Sequence, residues 1–431
     1  MDKAMLFRDK KGRLLAGLQL GNQISQLSYC FSDHLMPETV SLVDGEEQYA
    51  IPTVLAKRMD VNQWFFGKDA LSKEMDVYLI QDLLRKATEA ETEEVGDEAF
   101  PTSSLLALFV KRCLSLVSFV AGGENSDYLM ITCECLDERM TVVMGEVMEY
   151  LGMDREHFFF QGQEESFYQY VMHQSADLRG HDLLLLNSAN GLSSLRMEMN
   201  LQTVPMVSFI TQQTHDAGIM EPLPQDENLI ESVKERKDEK LLAVLKELCE
   251  NRIVKAVFLV GEGFGGEWVR ESLRYMCSNK RVFQGNNLFS KGACYGVCEK
   301  VYPGEASQKF LFLGRDKVKS NVGVLASVEG GEQYVPLLDA GVNWFDVQLT
   351  KEFILDDEAT ITFVITPLNG KEKRRLNMVL QEFPQRPPRT SRIRLSVSFE
   401  NEENMKLRVE DLGFGEFFKA TEYVVEDVIE V

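Results

Sequence analysis

Apolar and polar positions alternate along residues 13–30, where LLAGLQL and ISQLSYC flank Gly21-Asn22-Gln23. A period of two broken by a short polar turn predicts two strands joined as a tight hairpin. A third strand-like run covers residues 38–43 and leads to a turn at Asp44-Gly45, and residues 51–55 are short and β-rich. Residues 76–90 read as a helix that passes into an acidic stretch, 89–98, expected to be a solvated loop. Pro101-Thr102-Ser103 then opens a strong helical pattern through residue 120. Lys111 and Arg112 interrupt its apolar run, so a buried amphipathic helix is expected there and not a membrane span. Apolar strands are predicted at 128–133, 182–187 and 256–260, and further strand patterns at 157–160 and 195–209. Helices are predicted at 137–151, 164–174, 226–250, 267–277 and 286–299.

Past about residue 303 the helical period disappears. Short alternating strands are expected at 333–337, 344–349, 359–365, 376–381, 393–399 and 406–411. Turn residues separate them at Glu329-Gly330-Gly331, Asp356-Asp357, Asn369-Gly370 and Glu400-Asn401. That spacing predicts an antiparallel sandwich or barrel. The chain is therefore read as an α/β domain over residues 1–305 followed by an all-β domain over residues 306–431, with the boundary near 300–318.

Length and charge narrow the functional classes. A chain of 431 residues with 44% apolar residues predicts two or three domains with sizeable cores. A net charge of −22 repels a phosphate backbone and an anionic membrane surface, so neither nucleic acid nor membrane is an expected partner. The first twelve residues carry Lys and Asp without an apolar segment, so no signal peptide and a cytoplasmic protein are expected. Eight cysteines occur without a C-x-x-C pair, and Cys294 and Cys298 lie four apart in a predicted helix with no second ligand pair. Free thiols are expected, and no metal site. The five histidines show no metal-ligand spacing, and no nucleophile elbow or Walker sequence is present. The methionines and the three tryptophans are read as packing residues.

Two strand-turn-strand units, at residues 14–30 and 182–199, open two halves of the first part, and Gly261-Glu262-Gly263-Phe264-Gly265-Gly266 follows the 256–260 strand. Further motifs are Gly17-Leu-Gln-Leu-Gly21, Ile51-Pro-Thr-Val54 followed by Phe66-Gly-Lys-Asp-Ala70, Gln163-Glu-Glu-Ser166, and residues 286–296, NNLFSKGACYG. In this order they resemble the seventy-kilodalton heat-shock chaperones, and RIRLSVSFENEENMKLRV in the second part is similar to the end of the β-sandwich in which those chaperones hold peptide. The resemblance implies a two-lobed actin-like ATPase domain (a duplicated ribonuclease H-like fold) followed by a peptide-binding-like sandwich. It also implies that Gly21, Asn22, Gln23, Ser188, Asn190, Gly191, Gly261, Glu262, Gly263 and Phe264 are the nucleotide-binding candidates.

The chemistry of that family needs an acidic residue in each hairpin for hydrated Mg²⁺ and bare backbone against phosphate. Gln19 and Asn187 stand at the two acidic positions, and Gln81 falls at the family's catalytic lysine. The second turn has lost its glycines to Ser188, Ala189 and Asn190, and Leu192 replaces a hydroxyl. Glu164 alone keeps an acidic role. The interval from Gly191 to Gly261 is too short for the family's full adenine clamp, and residues 416–431 leave no room for its helical lid. The expectation is a pseudo-ATPase that requires no cofactor, binds ATP or ADP weakly at most, and serves as a protein- or peptide-binding module through its β-sandwich. The alternative is an active but atypical ATP-dependent chaperone. Val335, Leu337, Phe345, Val347, Ile361 and Phe363 are expected in the sandwich core or groove.

Overall fold

A computed structural model describes residues 12–43, 45–59, 61–72, 76–123, 125–304, 309–328, 331–356, 359–368 and 372–431. The expected turns at Asp44, at Glu329-Gly330, at Asp357 and at Asn369-Gly370 lie outside them, as do residues 1–11. The chain divides into two compact units, one to Phe310 and one from Leu311.

The first unit holds two mixed sheets built to one plan. In the first, Leu14–Gln19, Ile24–Phe31 and His34–Thr39 pair antiparallel in succession. Tyr128–Cys133 then joins the far side of Leu14–Gln19 in parallel, and Phe158–Gly162 follows it in parallel. In the second, Asp182–Asn187, Ser193–Asn200 and Met206–Thr214 pair antiparallel, and Val254–Val260 and Arg281–Gln284 add in parallel beside Asp182–Asn187. Parallel neighbours need crossovers, and helices Thr102–Val120, Glu138–Leu151, Glu227–Leu248 and Glu271–Cys277 lie within the four of them. Leu183–Leu186 are all fully buried, as expected for a central strand covered on both faces.

Each half ends in a helix that packs on the other half. Gln163–Met172 sets Phe167 against Phe258, with ring centroids 5.6 Å apart. Leu288–Val301 lies on the first sheet so closely that a Cβ on Gly17 would stand 2.2 Å from the Cys294 nitrogen. The two helices cross at Gly292, where a Cβ would stand 2.0 Å from the Ser166 carbonyl oxygen. Small residues are required at both places.

Several local expectations are corrected. Residues 76–90 form strand Val77–Ile80 and then helix Leu83–Thr88, because Val77–Ile80 pairs with Leu55–Arg58 and Asp82 is left-handed (φ 57°). The acidic stretch is a hairpin, Thr92–Val95 with Glu98–Pro101, anchored by buried Val95 and turned at Gly96. The third strand is His34–Thr39, and the helix expected from residue 267 begins at Glu271. Buried Asp238 sets that start by accepting from the Glu271 and Ser272 N–H groups at 2.6 and 3.1 Å. Thr102–Val120 is long and apolar enough to cross a membrane by length and composition, and it packs Leu105, Phe109, Val110, Cys113 and Val117 inside the unit.

The second unit contains two four-stranded antiparallel sheets. One runs in the order Gly331–Leu338, Ser320–Val328, Thr360–Pro367, Arg374–Val379, and the other in the order Leu349–Leu355, Ser391–Phe399, Asn404–Gly413, Val424–Glu430. Alternate residues of both enter one apolar cluster, among them Val322, Val324, Phe363 and Ile365 from the first and Ile393, Leu395, Leu407 and Val409 from the second. Residues 344–349 are not one strand: Trp344–Asp346 is a 3₁₀ turn and the strand begins at Leu349. Ser320–Val328 and Val424–Glu430 were not foreseen, the first for want of a clear alternation around Gly323.

Candidate functional site

The carboxyl ends of Leu14–Gln19, Tyr128–Cys133 and Phe158–Gly162 carry a polar row. Backbone register sets Gln26 opposite Gln19, Gln19 beside Thr132, and Thr132 beside Gln161. Ends of parallel strands beside a change of chain direction are where open α/β sheets bind ligands. Thr132 and Gln161 are hydrogen-bonded locally: Gln161 Nε2 donates to Ser166 Oγ at 2.7 Å, and Ser166 Oγ donates to Thr132 Oγ1 at 2.8 Å. Gln19 Oε1 and Gln26 Oε1 are buried without a hydrogen-bond partner among the described residues. Glu164 is buried at the start of helix Gln163–Met172, beside this row in sequence.

The first hairpin turn is held by neighbours. Asn22 Nδ2 donates to Asp82 Oδ1 at 2.8 Å, and its Oδ1 accepts from the Arg85 N–H at 3.2 Å. The loop carrying exposed Gln81 is thereby tied to Asn22. Gly21 has no room for a side chain, since a Cβ would stand 2.4 Å from the Ile24 oxygen. Gln23 is exposed, and its carbonyl accepts from the Thr53 N–H at 2.8 Å.

The second hairpin turn is likewise committed. Asn187 Oδ1 accepts from the Ala189 N–H at 3.1 Å, closing an Asx turn. Asn190 Nδ2 donates to Glu134 Oε2 at 3.2 Å, which links this turn to the loop after Tyr128–Cys133. Ser188 reaches the glycine turn. Its Oγ donates to the Val260 carbonyl at 3.2 Å and accepts from the Gly263 N–H at 3.0 Å. A Cβ at Gly261 would stand 2.5 Å from that Oγ, and one at Gly263 would stand 2.8 Å from Ser188 Cβ. Ser188 therefore fills the space between the two turns, while nothing lies within 4 Å of a Cβ built on Gly191. Glu262 is exposed. Phe264, a nucleotide candidate by sequence, is buried and stacked 6.5 Å from Trp268, with Leu259 in the same cluster.

Sequence reading missed a second constellation. No disulfide joins any of the eight cysteines, but three of them meet: Cys30 Sγ lies 3.3 Å from Cys298 Sγ and 3.6 Å from Cys294 Sγ. Hydrogen bonds from Cys294 and Cys298 pull the Cys30 thiol down to about 5, against burial, while burial foremost holds Cys294 well above the usual thiol value. The only signal in the chain was the i, i+4 spacing of Cys294 and Cys298; Cys30 is remote in sequence and arrives by packing. Glu134 and Gln26 were also missed, for neither belongs to a motif.

The second unit offers a groove of about 1090 Å³. Val335, Phe353, Leu355, Ile361 and Ile393 give it apolar walls, and Glu352, Asp356, Arg389 and Arg392 add charge. It runs beside Leu349–Leu355, a strand that among the described residues pairs on one side only, with Ser391–Phe399. Leu337 and Phe363 are core, whereas Val335 and Ile361 serve both core and groove. Phe345 and Val347 pack on the core from its margin.

Two sheets of one strand order, each half lending a helix to the other, followed by a separate all-β unit, define an α/β protein with an appended β domain. Residues 36–315 match the C-terminal model of a family of unknown function, DUF5716, and the chain belongs to that family. Residues 317–431 match a domain of unknown function, DUF8552. No curated protein matches the chain.

Proposed function

We infer that the chain is a divergent heat-shock-70-like protein whose actin-like domain has lost ATP hydrolysis and whose β-sandwich binds an extended peptide. The observation that carries the first half is Ser188. Its side chain takes the place between the second hairpin and the Gly261–Gly263 turn, where a phosphate needs bare backbone. The two hairpins present Gln19 and Asn187 instead of carboxylates, and the Asn187 oxygen is already spent on its own turn. Mg²⁺ favours carboxylates and phosphate oxygens, so these residues do not fit a magnesium-bound triphosphate. The peptide half rests on the one-sided strand Leu349–Leu355 and the groove beside it, which together suit β-augmentation with an apolar side chain inserted.

Calorimetric titration with Mg²⁺-ATP and a phosphate-release assay test the first half. No micromolar binding and no turnover are expected, and turnover abolished by Glu164→Gln would instead establish the atypical ATPase. A fluorescein-labelled heptapeptide with a central leucine tests the second half. Ile354 is exposed on the edge strand and lines the groove, so Ile354→Asp should weaken anisotropy-measured binding at least about tenfold without unfolding the unit. Equal binding by wild type and variant would remove this groove from the reading.

A further inference from the structure

Cys294 and Cys298 lie four apart on helix Leu288–Val301 and so share a face. Gly17 lets that helix descend onto the first sheet, which brings both thiols to Cys30 on strand Ile24–Phe31. The three sulfurs stand within 4.8 Å of one another, with closest separations of 3.3 and 3.6 Å. Three sulfurs bound to one ion at about 2.3 Å stand about 3.8–4.0 Å apart, so small side-chain rotations would spread them around an ion. Leu15, Met130, Ala293 and Val297 pack with the thiols in one buried cluster, and His34, His173 and Glu299 lie near enough to act on their charge. Such a setting disfavours hard cations, which need oxygen ligands. Among the described residues no fourth His, Cys, Asp or Glu converges with them, whereas a closed zinc site requires four donors. Soft thiolates select Cu(I), which is satisfied by three.

We propose that Cys30, Cys294 and Cys298 bind one Cu(I) ion. Each bond is a sulfur lone pair donated to the metal as the thiol proton leaves to solvent, and no electron is transferred. Affinity therefore falls as pH falls. The role is independent of the cleft and of the peptide groove.

The reduced full-length chain is titrated anaerobically with Cu(I) in the presence of bicinchoninate, whose coloured copper complex bleaches when the protein wins. The wild type should withdraw one equivalent. Cys30→Ser and Cys298→Ser should each weaken this at least about 100-fold, and the exposed-thiol variant Cys135→Ser/Cys277→Ser should not change it. Failure of the wild type to compete, loss of binding in the exposed-thiol variant, or tighter binding of Zn(II) than of Cu(I) would overturn the proposal. Should the buried serine variants unfold, X-ray absorption of the copper-loaded wild type decides: a first shell of sulfur alone supports it, and nitrogen or oxygen ligands overturn it.

Discussion

Ser188 does two jobs with one hydroxyl, accepting from the Gly263 N–H and donating to the Val260 carbonyl, and the proposed loss of ATP chemistry rests on it. Gln19→Asp with Asn187→Asp restores charge but leaves that hydroxyl in place, so adding Ser188→Gly should tighten Mg²⁺-ATP binding at least about tenfold more than the two acids alone, read by calorimetry. No gain from the third change would mean that other side chains close the cleft. Asp411 forms a buried ion pair with Arg386 in the second unit. Its oxygens accept from Arg386 Nη1 and Nη2 at 2.7 and 2.6 Å, and also from the Gly413 and Thr421 N–H groups, each at 2.9 Å. Burial pushes its carboxyl up, and these donors pull it further down, to well below the usual carboxylate range. Because the folded value is depressed, the stability it confers is present above the ordinary value of about 3.9 and is lost as pH falls below it. Asp411→Asn should destabilise the unit by about 3–5 kcal/mol at pH 7 in urea unfolding. The gap to wild type should narrow at pH 3.

At the scale of elements, the two exchanged helices cross with no room for a side chain at Gly292. Gly292→Ala drives a methyl into the Ser166 carbonyl, a backbone atom that cannot step aside, and should cost about 1–3 kcal/mol or more. Gly145→Ala, within helix Glu138–Leu151 where nothing lies within 4 Å, should instead stabilise by about 0.5–1 kcal/mol. Thermal melts of the pair read opposite signs from one chemical change. His215 adds a pH effect: burial lowers its pKa while its Nε2 meets Ser194 Oγ at 2.8 Å. Charging the unfolded chain below about 6.5 then favours unfolding, so the first unit should lose stability as pH drops from 7 to 5. The hairpins and the central strands were legible because their period reflects a single burial pattern. Residues 76–98 were not. Their charge and helix-forming residues read as helix and loop, yet pairing of Val77–Ile80 with Leu55–Arg58 and burial of Val95 outweighed those local preferences.

For the whole molecule, each unit has its own apolar cluster. Calorimetry should show Asp411→Asn lowering one transition and Gly292→Ala another, and a single shared shift would mean that the units melt as one. Alternation, apolar runs and turn residues determined by themselves that an α/β part precedes an all-β part, since each element's burial is written in its own period. The sequence also determined that Gln19 and Asn187 bring no charge to the hairpins. The reach of Ser188 across to Gly263, and the meeting of Cys30 with Cys294 and Cys298 under a helix pressed against Gly17, were not written in it. Those were decided only by tertiary structure, because contacts between residues far apart in the chain leave no period along it.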